Sequence, residues 1–216
     1  MYAASGYKTC SLKYTAKQGW NTIILPFGWS DYKTNLFGSG IIPYELISYE
    51  GNILTFGVPN YNIISANKPY LVYAPNATGE QVTVTVENKY INYASHASSA
   101  NGITFQGTYA PMPAGSLVGK YGVTSDGKLA KGGSGAWMKG YRAYLTGLPT
   151  GAQARIIVID GDDETTDIGG LAQIVDDEIL GKGGSKAPRA YNLQGQQVRN
   201  GKKGIYVVNG KKIVVK

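Results

Sequence analysis

Apolar residues along this chain recur at every second position, in short runs punctuated by Gly, Pro, Asn and Ser. Residues 81–86 show the pattern most cleanly, with Val82, Val84 and Val86 facing one way and Thr83 and Thr85 the other. Such alternation sets one side of a strand against a core and the other in water. Residues 7–14 repeat it through Cys10, Leu12 and Tyr14, and residues 20–27 through Ile23, Leu25 and Phe27. Pro26 puts the end of that second run at an edge or bulge, because proline cannot donate to a ladder. Residues 45–49 and 53–56 predict a hairpin about Glu50-Gly51-Asn52, and residues 70–73, 103–109, 117–123, 141–145 and 154–159 complete the series. Many short strands with this punctuation predict an all-β fold, a β-sandwich of jelly-roll type. No stretch before residue 168 sustains a 3.6 period; residues 170–180, apolar at Leu171, Ile174 and Ile179, read either as a short helix or as an acidic linker.

The last thirty residues carry their own turn chemistry. Apolar runs at 191–193, 205–208 and 213–215 are separated by Gly195, Asn200-Gly201 and Asn209-Gly210. Asn-Gly between alternating runs signals a hairpin, since both central residues of a type I′ turn take positive φ. A small antiparallel β appendage is therefore expected. The division that follows is a sandwich module at 1–168, an acidic and Gly-rich linker at 169–186 and a hairpin tail at 187–216.

Charge supports this division. The net charge of +7 conceals a segment, residues 160–180, with eight acidic residues and no basic one, followed by residues 181–216 with nine basic residues and no acidic one. A nucleic-acid surface needs basic residues interleaved with aromatics on one face; segregated charge of this kind reads as a solvated pattern, and no nucleic-acid partner is expected. No run approaches the roughly 20 apolar residues of a membrane span. Met1-Tyr2-Ala3-Ala4 lacks a basic and then apolar signal region. The chain is read as the downstream part of a larger secreted protein, with a complete cytosolic protein as the alternative.

Two stretches carry a resemblance. Tyr191-Asn192-Leu193-Gln194-Gly195-Gln196-Gln197-Val198, followed by Lys203-Gly204-Ile205-Tyr206-Val207-Val208-Asn209-Gly210-Lys211-Lys212, resembles the C-terminal tails of secreted and surface proteins of Bacteroidetes bacteria. Those tails are similar to the sorting domains read by the type IX secretion system. Gln197 stands where such tails carry Arg, and the unit is shorter than a full sorting domain. The resemblance implies that secretion machinery is a partner of the tail, through Tyr191, Gly195, Gly204, Tyr206 and Gly210, and that the protein is extracellular or at the outer-membrane surface. In the head, Gly19-Trp20-Asn21-Thr22, Leu25-Pro26-Phe27, Lys68-Pro69-Tyr70-Leu71-Val72, Gly140-Tyr141-Arg142-Ala143-Tyr144 and Thr165-Thr166-Asp167-Ile168 occur in that order. They resemble an all-β module near the C-terminus of Bacteroidetes surface proteins, found behind repeats or catalytic domains, and they imply no reaction. Trp20, Tyr70 and Tyr144 lie in apolar strands and read as core.

Catalytic chemistry finds little support. His96 is the only histidine, in the polar run 94–99, and no G-x-S-x-G elbow accompanies it; a triad needs its His held by a carboxylate. One His and one Cys cannot supply the three or four N/S ligands of a zinc site, and the lone Cys10 reads as a small apolar residue. Residues 122–128 fit G-x-x-x-x-G-K, but Leu129 follows where a P-loop needs Ser or Thr for Mg²⁺. Asp160, Asp162 and Glu164 offer carboxylates at a spacing able to ligate Ca²⁺, yet the EF-hand pattern breaks at Thr165 and Leu171; a calcium candidate and an acidic linker both remain. Glycoside hydrolysis needs two facing carboxyls, and the head offers Asp31, Glu45, Glu50, Glu80, Glu87 and Asp126, none beside a second one in an aromatic run. No cofactor and no enzymatic activity are expected.

Aromatic loops remain. Trp29 and Tyr32 flank Asp31, Tyr61 lies in Pro59-Asn60-Tyr61-Asn62, and Trp137 follows the Gly-rich stretch at 132–135. Sugar rings present C–H faces that stack on flat aromatics, and amphipathic rings at wet surfaces suit that work. Trp29, Asp31, Tyr32, Tyr61 and Trp137 are therefore the candidate carbohydrate-binding residues, with a polysaccharide or host glycan as the partner. The competing reading is that these rings cap the ends of the sandwich, and that the module is a structural spacer or adhesion module presenting an upstream domain.

Overall fold

The computed structural model describes residues 6–30, 42–59, 63–94, 97–149, 154–159, 165–169, 190–192, 197–198, 204–208 and 211–215. Among these residues there is no helix, and the chain divides into two compact units, Met1–Gly183 and Gly184–Lys216. The calcium candidates Asp160, Asp162 and Glu164, the residues 170–186 expected as linker or helix, and His96 lie outside the described residues.

The first unit is an all-β sandwich. Its larger sheet has six strands: β2 (Gly19–Ile23), β3 (Ile42–Glu50), β4 (Ile53–Gly57), β5 (Tyr70–Ala74), β12 (Arg155–Ile159) and β13 (Thr165–Gly169), in the spatial order β13-β12-β4-β3-β5-β2. The facing sheet has five: β7 (Ala97–Ala100), β8 (Ile103–Thr108), β9 (Tyr121–Val123), β10 (Leu129–Lys131) and β11 (Arg142–Thr146), ordered β10-β9-β11-β8-β7. Leu54, Phe56, Leu71, Ile156 and Val158 from the first meet Ile103, Phe105, Val123, Leu129 and Leu145 from the second in one buried cluster. Phe56 and Phe105 join the layers edge to face, 5.4 Å between centroids. Neighbouring strands run antiparallel except β12, which lies parallel to β4, a direction that alternation alone does not reveal.

A third layer covers one end. β1 (Gly6–Thr15) and β6 (Gln81–Ile91) form a two-stranded ribbon, and their Leu12, Tyr14, Val86 and Ile91 pack on Ile23, Tyr70, Val72 and Ala74. Val82 and Val84 also face this cluster, as their alternation with threonine requires. Consequently β2 and β5 are buried on both faces: Trp20 and Leu71 point into the sandwich core while Ile23, Tyr70 and Val72 point under the ribbon.

Hairpin chemistry sets the registers. Glu50 pairs with Ile53 across Gly51 (φ 54) and Asn52 (φ 66), a two-residue turn with both φ positive. Ala100 and Ile103 repeat it across Asn101 (φ 45) and Gly102 (φ 83); this Asn-Gly signal, and the polar strand β7 beside it, are not in the sequence expectation. Strand 117–123 shortens to β9, because the chain before it turns through Ser116 N donating to Pro113 O and Lys120 N donating to Leu117 O. The P-loop-like stretch is a turn between β9 and β10: Gly127 N donates to Thr124 O, Lys128 N donates to the Thr124 hydroxyl, and Lys128 pairs with Asp126 at 2.9 Å.

The second unit is a four-stranded antiparallel sheet of β14 (Ala190–Asn192), β15 (Gln197–Val198), β16 (Gly204–Val208) and β17 (Lys211–Val215), ordered β15-β14-β16-β17. Val208 pairs with Lys211, so β16 and β17 form the hairpin expected across Asn209-Gly210. β15 and β16 do not pair with one another: β14 lies between them and pairs with both, while Asn200-Gly201 lies outside the described residues. Of the five tail residues named from the resemblance, Tyr191 lies on β14, Gly204 and Tyr206 on β16, and Gly195 and Gly210 outside the described residues.

Close approach to the double-buried strand makes one glycine indispensable. Gly19 has φ 95, and a Cβ there would lie 2.2 Å from Ser125 O, whereas Gly79 has a similar φ of 83 with open space around it. Gly79→Ala is expected to cost about 1–2 kcal/mol from backbone strain alone, and Gly19→Ala distinctly more. Urea unfolding of the two variants checks this, and equal losses would show that the approach of residue 125 is not constraining.

Candidate functional site

The aromatic candidates separate once the fold is in place. Trp29 is only 3% exposed. Ile23, Leu25, Phe27 and Trp29 share one parity, and all four belong to the cluster under the ribbon. The inward alternation thus continues two residues beyond Phe27, and Trp29 N and O both bond Ile64 at 2.9 and 3.0 Å. Trp29 is a core residue, which corrects its place among surface rings. Asp31, Tyr32 and Tyr61 lie outside the described residues. Trp137 is 38% exposed, between buried Ala136 and Met138, on a stretch whose Met138 bridges Met112 over the outer face of the five-stranded sheet. Trp20 and Tyr70 are buried as expected, and Tyr144 is half-buried against this outer cluster beneath Lys120, whose Nζ lies 4.9 Å from the ring.

Two residues after Trp137 the chain enters a cleft of about 190 Å³, lined by residues from the ribbon, from the end of β8 and from the start of β11. Tyr109 and Tyr141 supply its rings, 5.8 Å apart and edge to face. Lys13, Gln81 and Lys139 supply polar ends, and Arg142 lines it from within. Tyr109 is anchored from behind, its hydroxyl donating to Asn67 Oδ1 (2.5 Å) and lying 3.2 Å from Leu25 O. Gly140 lets the chain pass close to Tyr109, since a Cβ there would lie 2.4 Å from the Tyr109 carbonyl oxygen. Tyr141 then takes φ 60, a left-handed conformation that costs a non-glycine residue free energy.

Arg142 is 2% exposed. Its guanidinium carbon stacks 3.8 Å over the Tyr14 ring, and its Nη2 donates to Thr15 O. The Nε and Nη1 groups have no hydrogen-bond partner, and among the described residues no carboxylate pairs with it. Tyr14 in turn donates its hydroxyl to Thr22 O at 2.8 Å. Burial pushes the Tyr14 phenol up to about 12, and the nearby charge of Arg142 offsets only part of that effect.

No sequence signal marked this cleft. Tyr109, Tyr141 and Arg142 sit in runs that read as strand, and Lys13 and Gln81 read as exposed strand positions. The nearest hint is Gly140-Tyr141-Arg142, quoted above only for its resemblance. A second surface feature also went unread: Tyr7 (73% exposed) and Tyr90 (52% exposed) pair across the ribbon at 5.4 Å, edge to face. Among the described residues no group of three or more His, Cys, Asp or Glu could hold a metal ion.

The buried phenol yields a pH dependence with a definite sign. An unfolded tyrosine titrates near about 10, below the folded value for Tyr14, so the folded state holds this proton more tightly. The stability this contributes is complete below about pH 10 and is lost as the pH climbs from about 10 towards 12. Tyr14→Phe, which cannot ionise, is expected to show a shallower decline of the urea midpoint over that interval; identical slopes would assign the decline to other groups. No protein-family model, no curated protein and no solved structure matches this chain.

Proposed function

We propose that the sandwich is a non-catalytic, extracellular module of a larger secreted or surface protein, that it binds polysaccharide or glycan, and that the C-terminal β unit serves secretion or attachment. The observation that carries the binding reading is the cleft lined by Tyr109, Tyr141 and polar side chains. Its small volume suits one sugar ring rather than a drug-sized ligand, for which pockets run to several hundred Å³. Tyr141, half-buried beside the buried Tyr109, offers ring surface for C–H contact, and Gln81, Lys13 and Lys139 offer groups to hydroxyls. Trp137, 38% exposed and two residues before Lys139 in the chain, is the remaining exposed ring among the described candidates. For the tail, support comes from its resemblance to sorting domains, with Tyr191, Gly204 and Tyr206 on paired strands.

A structural spacer is the second reading, and the burial of Trp29 favours it, because a spacer needs no surface rings. The two readings part at Trp137. Under the binding reading, Trp137→Ala weakens glycan affinity by about three- to tenfold, the worth of one aromatic contact, without changing the urea midpoint appreciably. Trp29→Ala instead costs about 3–5 kcal/mol of stability through the cavity it leaves. Affinity electrophoresis and calorimetry against plant and host glycans, beside urea unfolding, measure both. Absence of binding to every glycan would leave the spacer.

A further inference from the structure

Arg142 presents a physical problem that the fold does not solve. A guanidinium remains charged at any pH a protein experiences, and burying a charge without a counter-charge is expensive. One of its nitrogens donates to Thr15 O and its plane lies on Tyr14. Both contacts orient it, and neither supplies negative charge. The remaining Nε and Nη1 donors have no acceptor, although buried donors are nearly always satisfied. The ion pairs among the described residues are Lys68–Glu45, Lys128–Asp126 and Arg155–Asp167, none of which involves this group.

The surroundings add to the charge. Lys13 and Lys139 line the same cleft, and among the described residues no acidic side chain lines it. Three basic residues therefore line one small space together with Tyr14, Tyr109 and Tyr141. Tyr14 cannot serve as the counter-ion: it is buried, its hydroxyl donates to Thr22 O, and it stays neutral well above physiological pH. The left-handed Tyr141 immediately precedes Arg142, so backbone strain is held at the cleft wall. Strain of this kind gathers at ligand sites.

We propose that this cleft is an anion site, in which Arg142, Lys13 and Lys139 receive a carboxylate or sulfate group, and that the glycan bound by the module is an acidic one. The second clause rests on the binding reading above; the first does not. An oxyanion entering the cleft supplies both the missing charge and lone pairs for the idle donors of Arg142, and guanidinium forks match planar oxyanions well. The rings take the sugar face while the basic groups take its charged substituent.

The test uses the full chain and four probes: an oligogalacturonate, its carboxyl-reduced neutral counterpart, a sulfated oligosaccharide and inorganic sulfate. Calorimetry at low and moderate salt gives affinities, and the Arg Nε–H resonances in NMR report contact with Arg142. The expected result is at least tenfold tighter binding of the uronate or sulfated chain than of the neutral counterpart. Salt should weaken that preference, and the Arg142 resonance should shift. Lys13→Gln with Lys139→Gln should abolish most of the preference with an unchanged urea midpoint, which keeps the test valid if Arg142→Gln fails to fold. Tightest binding of the uronate assigns the anion as carboxylate, and tightest binding of the sulfated chain as sulfate. Equal binding of acidic and neutral chains overturns the anion site while leaving glycan binding intact. Sulfate that shifts Arg142 while no saccharide binds sustains the anion site and removes the glycan. Silence from all four probes overturns both.

Discussion

In a β-sandwich the two sheets meet chiefly through side chains, yet here one residue joins them by hydrogen bonds running both ways. Thr22 Oγ1, on β2, donates to Ala143 O at 3.1 Å and accepts from Ala143 N at 3.0 Å on β11. Around it Trp20 N donates to Ser125 O and Ile24 N to Tyr141 O. On its other side β2 pairs with β5 in the ordinary way. The last strand of the six-stranded sheet therefore presents no bare edge, because partners from the facing sheet take its outward groups. An exposed row of such groups would invite pairing with another chain. Leaving buried groups like those of Ala143 unsatisfied costs about 1–3 kcal/mol each, so this side chain secures both its own strand and its neighbour.

The same constraint places the cleft. Holding β11 against β2 fixes the start of β11, where Tyr141 and Arg142 lie, at the border between sandwich and ribbon. Tyr14 reaches that border from β1 and bonds Thr22 O, so the ribbon, β2 and β11 converge on one buried threonine. Arg142 is drawn inward by its stack on Tyr14 and its bond to Thr15 O. Its charge is left uncompensated because no acidic side chain lines the cleft among the described residues. The feature that closes the fold is thus also the one that creates a basic, ring-walled recess.

Much of this architecture was legible from alternation alone. The runs at 7–14, 20–27, 70–73, 81–86, 103–109 and 154–159 are strands or extended buried chain, and Val82, Val84 and Val86 face inward as their spacing requires. Gly51-Asn52 announced its hairpin through a turn geometry that such residues adopt readily, and the Asn209-Gly210 signal falls between the paired strands β16 and β17. Trp29 was misread because the period was stopped at Pro26-Phe27, although proline ends a ladder without ending the inward parity of the chain. The tail shows the converse limit: β15 and β16 are consecutive along the chain, yet both pair with β14 and not with each other. Polar β7 had no periodic signature and formed because Asn101-Gly102 folds it back onto β8.

By itself, the sequence determined an all-β body and the places where the chain reverses, because a two-residue period and the φ preferences of Gly and Asn act within a few residues. It also set the segregation of charge along the chain. Only the tertiary structure decided that β12 runs parallel to β4, that β2 is buried on both faces, and that Trp29 is core while Trp137 is surface. Only there does Lys13 line one cleft with Lys139 and Arg142, more than a hundred residues further along the chain. The reason is the same in each case: which face of a strand is dry, and which charges become neighbours, depends on what is packed against it, and that information is not local.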